Sequence, residues 1–363
     1  MSKRLKIGIT QGDTNGVGWE VILKIFSDNR LAELFTPVIY GSSVAAAYYQ
    51  KRLNDIEPVK FVVVDSAERA QQGRVNLVEC GAKELSVTPG KPSKAGGEAA
   101  AAALRMAIDD LKEERISAMV TAPIDKEMIQ SPDFNYTGHT EFLAKELDGE
   151  PLMMMTSELM RVGLATIHIP VARVAEALNI DLIKERLEQI NNSLRQDFGI
   201  VRPRIAVLAL NPHAGDGGLL GGEEQGVIKP AIVESYEAGI LAFGPFAADG
   251  FFAASQYKNY DAILAMYHDQ GLAPFKTLSP EGVNFTASLS AVRTSPDHGV
   301  AYDIAGKGVA EETSMRNAIY EALDIVRRRE AWTEWTENPL QHFEREKGRD
   351  QSIRDIPETE IAD

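Results

Sequence analysis

The sequence predicts an α/β protein whose two lobes face a shared cleft, and three observations carry that expectation. Short β-rich runs at residues 5–10, 37–40, 61–64, 116–120, 164–167, 205–210 and 262–266 alternate with stretches of helical spacing. That alternation is the pattern of a mostly parallel sheet covered on both faces. The chain has 363 residues, more than one compact core usually takes, and its hydrophobic fraction of 44% is enough to fill two. Polar motifs rich in histidine, glycine and acids stand directly after several apolar runs, where open α/β sheets collect their ligands.

Residues 5–10 lead into Gln11-Gly12-Asp13-Thr14-Asn15-Gly16-Val17-Gly18, and residues 19–26 continue with helical spacing. A strand, glycine loop and helix can present backbone N–H groups to a phosphate. The spacing of Gly12, Gly16 and Gly18 fits neither a dinucleotide fingerprint nor a Walker loop, so a plain tight turn is an equal reading. Residues 91–97 read as a loop and 98–114 as a helix with Leu104, Ala107, Ile108 and Leu111 along one face. The run 116–120 ends at Thr121-Ala122-Pro123-Ile124-Asp125-Lys126, and Ser131-Pro132-Asp133 places a lobe boundary near residue 130.

Tyr136-Thr137-Gly138-His139-Thr140-Glu141 opens a helix, its donors serving either as a cap or toward a ligand. His168 follows the run 164–167, and Asn211-Pro212-His213-Ala214-Gly215 follows 205–210. A glycine-rich excursion at 217–222, a helix at 223–240 and a loop at 244–249 come next. The run 262–266 opens at Tyr267-His268-Asp269-Gln270-Gly271 into a glycine-containing loop. Residues 311–329 form a helix, and the chain beyond 333 turns polar and acidic, so 336–363 reads as a tail that packs on the surface or stays partly disordered.

A net charge of −15 argues against a nucleic-acid surface, so an anionic substrate needs a local basic pocket. No apolar run approaches the roughly 20 residues of a membrane helix, and the first residues show no signal-peptide core, so the expected location is cytoplasmic. Cys80 is the single cysteine; it excludes an internal disulfide and reads as a small buried hydrophobe.

Three of the six histidines, His168, His213 and His268, each follow an apolar strand. Strand ends converge in space, so three imidazoles could hold a divalent metal with positions open to a substrate. Hydrogen-bonded loop histidines are the competing reading. Lys276, Asn284 and Arg293 come soon after His268 and supply donors suited to a phosphate or carboxylate. Next, His298-Gly299-Val300-Ala301-Tyr302-Asp303 and the run Ile304-Ala305-Gly306-Lys307-Gly308 resemble the adenosine-binding loop of the isocitrate and isopropylmalate dehydrogenase superfamily.

Together, the motifs at 136–141, 211–215, 267–271 and 293–303 resemble the 4-hydroxythreonine-4-phosphate dehydrogenase family of pyridoxal phosphate biosynthesis, over about residues 5 to 330. The resemblance implies a two-lobed α/β/α fold of the isopropylmalate dehydrogenase type, with 1–130 and 276–335 on the cofactor side and 131–275 carrying metal ligands and dimer contacts. It implies a homodimer with a shared active site, in which His168 and His213 of one chain and His268 of its partner hold the metal. Zinc comes first among the metals, with magnesium, manganese or cobalt as alternatives. Substrate contacts are implied for His139, Thr140, Lys276, Asn284 and Arg293, and NAD contacts for His298, Gly299 and Asp303. Asp303 would bind the ribose hydroxyls and disfavour NADP. The implied reaction oxidises 4-phosphohydroxy-L-threonine and decarboxylates it to 3-amino-2-oxopropyl phosphate. Asp249, Asp269 and Lys126 are the candidates for the general base.

The chain departs from the family in two places that bear on the substrate. Gln11 to Gly16 replaces a proline-glycine-acid-proline-alanine-glycine run, and Ala287-Ser288-Leu289-Ser290-Ala291 replaces a more apolar leucine-glycine-leucine-proline run. A related acid such as 4-phosphothreonate is therefore an alternative substrate. A phosphate acyltransferase or a metal-dependent hydrolase would be alternative chemistries for the same residues.

Overall fold

The computed structural model describes residues 4–81, 84–131 and 139–340. Strands form at or beside the seven apolar runs and at five further places, β4, β6, β9, β11 and β12, that the sequence reading did not mark: β1 (Lys6–Thr10), β2 (Thr36–Gly41), β3 (Phe61–Val64), β4 (Val75–Glu79), β5 (Ala118–Thr121), β6 (Gly149–Thr156), β7 (Arg161–Leu164), β8 (Arg204–Leu208), β9 (Leu241–Phe246), β10 (Ala262–Ala265), β11 (Val283–Leu289) and β12 (Val292–Pro296). They form one sheet in the order β3-β4-β2-β1-β5-β12-β11-β6-β7-β10-β8-β9. From β3 to β12 every pairing is parallel. The pairings β12–β11, β11–β6 and β6–β7 are antiparallel. From β7 to β9 the sheet is parallel again. Three reversals separate the blocks, so the second parallel block runs opposite to the first.

Strands buried on both faces need apolar partners above and below the sheet. Successive side chains point to opposite faces, and in β2 this sends Ile39 into one cluster and Val38 and Tyr40 into another. The first cluster takes in Ala318, Ile319 and Ala322 of the helix Thr313–Glu337; the second takes in Leu104, Ala107 and Ile108 of the helix Lys94–Lys112. In the second block, Ile205 and Val207 pack with Leu187 and Ile190, while Ala206 and Leu208 face Phe251 and Phe275. The architecture is the expected α/β class with helices on both faces. Cys80 is a free, buried thiol within the second cluster. Among the described residues no helix is long and apolar enough to cross a membrane.

Several elements differ from the sequence reading, each for a tertiary reason. The helix expected at 98 starts at Lys94, because Ser93 accepts the Gly96 N–H at 3.1 Å as an N-cap. Its glycine pair serves packing: a Cβ on Gly97 would stand 2.1 Å from the Met128 carbonyl oxygen. Residues expected as a loop at 244–249 instead end β9 and begin the helix Ala248–Ala253, with a cis Gly244–Pro245 peptide in the strand. The single helix expected at 223–240 is a π-helical turn, Glu224–Ile228, running into the helix Lys229–Glu237. His268 does not open a loop; it is the first residue of the helix His268–Leu278. The last helix continues to Glu337, its extension held where Arg195 lies over the Trp332 ring at 5.2 Å and Arg329 donates to Asp197 at 2.7 Å. The tail expected at 336–363 thus begins inside that helix, and its residues 341–363 lie outside the described part of the chain.

Glu321 on the last helix accepts the Thr156 hydroxyl on both carboxylate oxygens, at 2.6 and 2.7 Å. Burial nevertheless pushes its carboxyl up to about 7, against the opposing pull of Thr156, Arg161 and Arg328. The folded pKa lies above the unfolded one, so the stability this site contributes is complete below the unfolded value and is lost as pH rises through about 7. Glu321→Gln keeps an acceptor for Thr156 and removes the titration. Denaturant unfolding between pH 5 and 8 should show the wild type losing on the order of 2 kcal/mol relative to this variant. Parallel stability–pH curves for the two proteins would contradict the assignment.

Candidate active site

The antiparallel centre of the sheet supplies the floor of the site. In β11, Asn284 pairs with Ser295 of β12 and with Met155 of β6, and Thr286 pairs with Met153. Alternation then places Arg293 and Ser295 of β12 on the same face as Asn284 and Thr286 of β11 and Met153 of β6. A cleft of about 290 Å³ opens over this face. Thr121 and Lys126 enter it from the end of β5, and Asp297, His298 and Gly299 from the end of β12. The oppositely directed block contributes His168 after β7 and His268 after β10. His268, Leu272 and Lys276 are spaced four residues apart on one helix face, and all three line the cleft.

Arg293 dominates the electrostatics. It is 2% exposed and donates to two hydroxyls, Nε and Nη2 to Thr121 at 3.1 and 2.5 Å and Nη1 to Thr286 at 3.1 Å. No carboxylate pairs with it among the described residues, and burial pulls the guanidinium down to about 9. A buried cation held only by neutral groups is costly, and an anionic ligand is its natural complement. Lys276 pairs with Asp297, Nζ to Oδ1 at 2.7 Å, and burial holds the Asp297 carboxyl above its ordinary range despite that lysine. Two buried polar atoms of the cleft, Asn284 Oδ1 and His298 Nε2, have no hydrogen-bond partner among the described residues. Each such atom costs about 1–3 kcal/mol until something meets it.

His168 and His268 stand with ring centroids 6.1 Å apart and planes inclined by 39°. Asp269 Oδ1 lies 2.7 Å from His268 Nδ1, which leaves Nε2 as the ring nitrogen that could meet an ion. Two imidazoles so placed fit one ion as part of its ligand set. His213 does not join them. It is exposed, on a stretch where residues 213–217 all have positive φ, and it is absent from the cleft lining. Among the described residues no three His, Cys, Asp or Glu side chains converge as a metal site within the chain. The division expected from the resemblance, with His268 coming from a partner, is corrected here: His168 and His268 meet within one chain.

Of the other expected residues, Lys126, Lys276, Asn284, Arg293, His298 and Gly299 all line this cleft. Asp269 orients His268, and Asp249 is exposed on the helix Ala248–Ala253, outside the lining. His139 and Thr140 begin the helix His139–Glu146, but their side chains, and residues 136–138, lie outside the described residues. Asp303 is exposed, beyond the cleft. A second, largely apolar cleft of about 580 Å³ shares His298 with the first and is walled by Val17, Ala301, Ile304 and Ala310. The sequence reading did not single out Thr121, Met153, Ser295 or Asp297. Thr121 and Asp297 stand at strand ends, the one signal that could have marked them.

Relatives share this architecture. The family model described as pyridoxal phosphate biosynthetic protein PdxA matches residues 33–322. The chain belongs to that family. A 4-hydroxythreonine-4-phosphate dehydrogenase of Bacteroides thetaiotaomicron is 52% identical over 94% of this chain and 95% of its own length. A relative from Oceanobacillus iheyensis, named provisionally as a D-threonate 4-phosphate dehydrogenase, is 37% identical over 90% of this chain and 99% of its own. The crystal structure of 4-hydroxythreonine-4-phosphate dehydrogenase from Klebsiella pneumoniae superposes with a TM-score of 0.77 at 33% identity, covering 89% of this chain and 98% of that one.

If the unpaired Arg293 is the anion anchor, millimolar inorganic phosphate should raise the melting temperature of the wild type and not that of Arg293→Met. The unliganded variant should melt within roughly 4 °C of wild type, because replacing a buried charge by an apolar side chain of similar length is close to neutral. Equal phosphate shifts in both proteins would show that the anion binds elsewhere.

Proposed function

We propose that this chain is an NAD-dependent, metal-dependent 4-hydroxythreonine-4-phosphate dehydrogenase of vitamin B6 biosynthesis, acting in the cytoplasm as a homodimer. The observation that carries the reading is the single cleft in which the His168–His268 pair faces the buried Arg293, and which shares His298 with an apolar groove. The substrate, 4-phosphohydroxy-L-threonine, has a phosphate, a carboxylate, an ammonium and a secondary hydroxyl. Arg293 lacks an acid partner among the described residues and takes one of the anionic groups; Lys276, already at the cleft, takes the other in competition with Asp297. The unpartnered Asn284 Oδ1 accepts from the ammonium or a hydroxyl.

His168 and His268 would hold a divalent ion, with zinc the best match to imidazole nitrogen and magnesium, manganese or cobalt as alternatives. Such an ion supplies positive charge that lowers the pKa of the substrate hydroxyl and favours a developing enolate. Of the three candidate bases Lys126 alone lines the cleft, so it is the group that exchanges the hydroxyl proton. Bound NAD would accept the hydride from C3, and Lys126 is placed to take the O–H proton. The resulting β-keto acid loses carbon dioxide from C1, and its bonding electrons enter the ketone. Protonation at C2 then gives 3-amino-2-oxopropyl phosphate. The adenosine half of NAD fits the apolar groove beside Ala301 and Ile304, and the exposed Asp303 favours NAD over NADP.

Among the described residues the chain's own cleft offers no third metal ligand, and the exposed His213 loop could supply one to another subunit. The shared site therefore takes His168 and His268 from one chain and His213 from its partner. Mixing inactive His168→Ala and His213→Ala proteins under subunit exchange should restore roughly a quarter of wild-type activity, since about half the dimers are mixed and each of those has one intact site. No recovery, with exchange confirmed independently, would place all ligands in one chain.

The reaction is checked by NADH absorbance on mixing with NAD and 4-phosphohydroxy-L-threonine, and by its loss on chelation without a change in far-UV circular dichroism. The Oceanobacillus relative and the altered Gln11 to Gly16 loop make 4-phosphothreonate the competing substrate. A higher kcat/KM for that acid would reassign the substrate and leave the dehydrogenase chemistry standing.

A further inference from the structure

The segment from His298 to Ala310 is fastened at several points to the N-terminal strand, loop and helix. Val17 N–H donates to the Val300 carbonyl at 3.0 Å, and a Cβ on Gly16 would stand 2.3 Å from Val300 Cγ1. Further along, the fully buried Glu20 accepts from Gly306 N–H at 3.1 Å and Ala310 N–H at 2.8 Å. Between these anchors, the Tyr302 hydroxyl lies 3.0 Å from Asp13 Oδ2 and 2.9 Å from Asp125 Oδ2. Asp13 follows the end of β1 and Asp125 the end of β5, so one phenol bridges two strand ends and the cofactor-side loop.

That bridge has a shortage of protons. The other oxygen of each carboxylate is already in use: Asp13 Oδ1 accepts the Asn15 N–H at 2.8 Å, and Asp125 Oδ1 accepts the Glu127 and Met128 N–H groups at 2.8 and 3.0 Å. Two carboxylate oxygens remain, with one phenolic hydrogen between them. A second proton on one acid completes the chain, and the surroundings choose which. Asp13 is wholly buried with one backbone donor, while Asp125 has two donors and lies nearer solvent. Burial accordingly raises the Asp13 carboxyl above its ordinary range, whereas for Asp125 desolvation is outweighed by the Met128 and Glu127 N–H groups, Tyr302 and Lys94, which together hold it below its own.

We propose that Tyr302 is a positioning residue for the cofactor. In this arrangement a protonated Asp13 donates to the phenol and the phenol donates to Asp125, locking the 298–303 segment so that His298 and the neighbouring Asp303 meet the dinucleotide preformed. The assignment rests on the reading that this segment binds NAD. Pre-ordering a loop removes an entropic cost from binding, so the effect belongs in cofactor affinity and not in the chemical step.

The test is calorimetric titration of full-length protein with NAD, and separately with substrate, for wild type, Tyr302→Phe, Asp13→Asn and Asp13→Ala. Tyr302→Phe should weaken NAD binding about tenfold, while substrate affinity and kcat at saturating NAD change by less than about twofold. Asp13→Asn should keep wild-type affinity, because its amide N–H donates to the phenol as the acid proton does; Asp13→Ala should bind as weakly as Tyr302→Phe. Unchanged NAD affinity in Tyr302→Phe overturns the proposal. So does an Asp13→Asn protein as weak as Asp13→Ala, and that isosteric pair decides the matter even if the phenylalanine variant fails to fold. A wild type that binds substrate but no dinucleotide overturns the cofactor reading itself, and this proposal with it.

Discussion

A guanidinium buried on two hydroxyls, with no carboxylate to neutralise it among the described residues, is the constraint around which this structure is arranged. Arg293 is hydrogen-bonded there because Thr121 on β5 and Thr286 on β11 flank its own strand, which needs β5, β12 and β11 side by side. Neutral partners leave its charge available to a ligand, where an aspartate would have consumed it. The unfavourable desolvation is offset by apolar clusters on both faces of the sheet, which contain most of the buried large side chains. Stability and recognition are thereby separated: the flanking blocks hold the molecule together, and its centre is left electrostatically incomplete.

The reversal of strand direction solves a second problem. In a sheet of one direction all strand ends would gather at one edge, and a ligand would meet groups from that side alone. Here the ends of β5 and β12 approach the cleft from one block while those of β7 and β10 approach from the other. Cationic and imidazole groups therefore confront each other across the ligand's volume. Lys276 reaches the same space because two turns of helix carry it down the face begun by His268.

Much of this was readable from the residues. Seven apolar runs gave strand positions within a few residues, since burial on both faces demands uninterrupted hydrophobicity, but β4, β6, β9, β11 and β12 were not marked. His168, His268, Lys276, Asn284, Arg293 and His298 all belong to one cleft, as their places at strand ends and in polar motifs suggested. What escaped depends on contacts distant in sequence. Ser93 capping a helix across a glycine pair, the extension of the last helix under Arg195 and Arg329, and the Lys276–Asp297 pair leave no periodic trace. The absence of His213 from the cleft was equally invisible, because a strand-end histidine looks the same in sequence whether its loop turns inward or outward.

The three antiparallel pairings between the parallel blocks also determine how the molecule can move. Every connection across the sheet from one block to the other passes through β12, β11 and β6, and β11 has an irregular register between Ala287 and Leu289, where Ser288 takes a positive φ. These are the strands that bear Arg293, Asn284 and Met153. Any change in the angle between the two parallel blocks would therefore bend the strands that form the floor of the site.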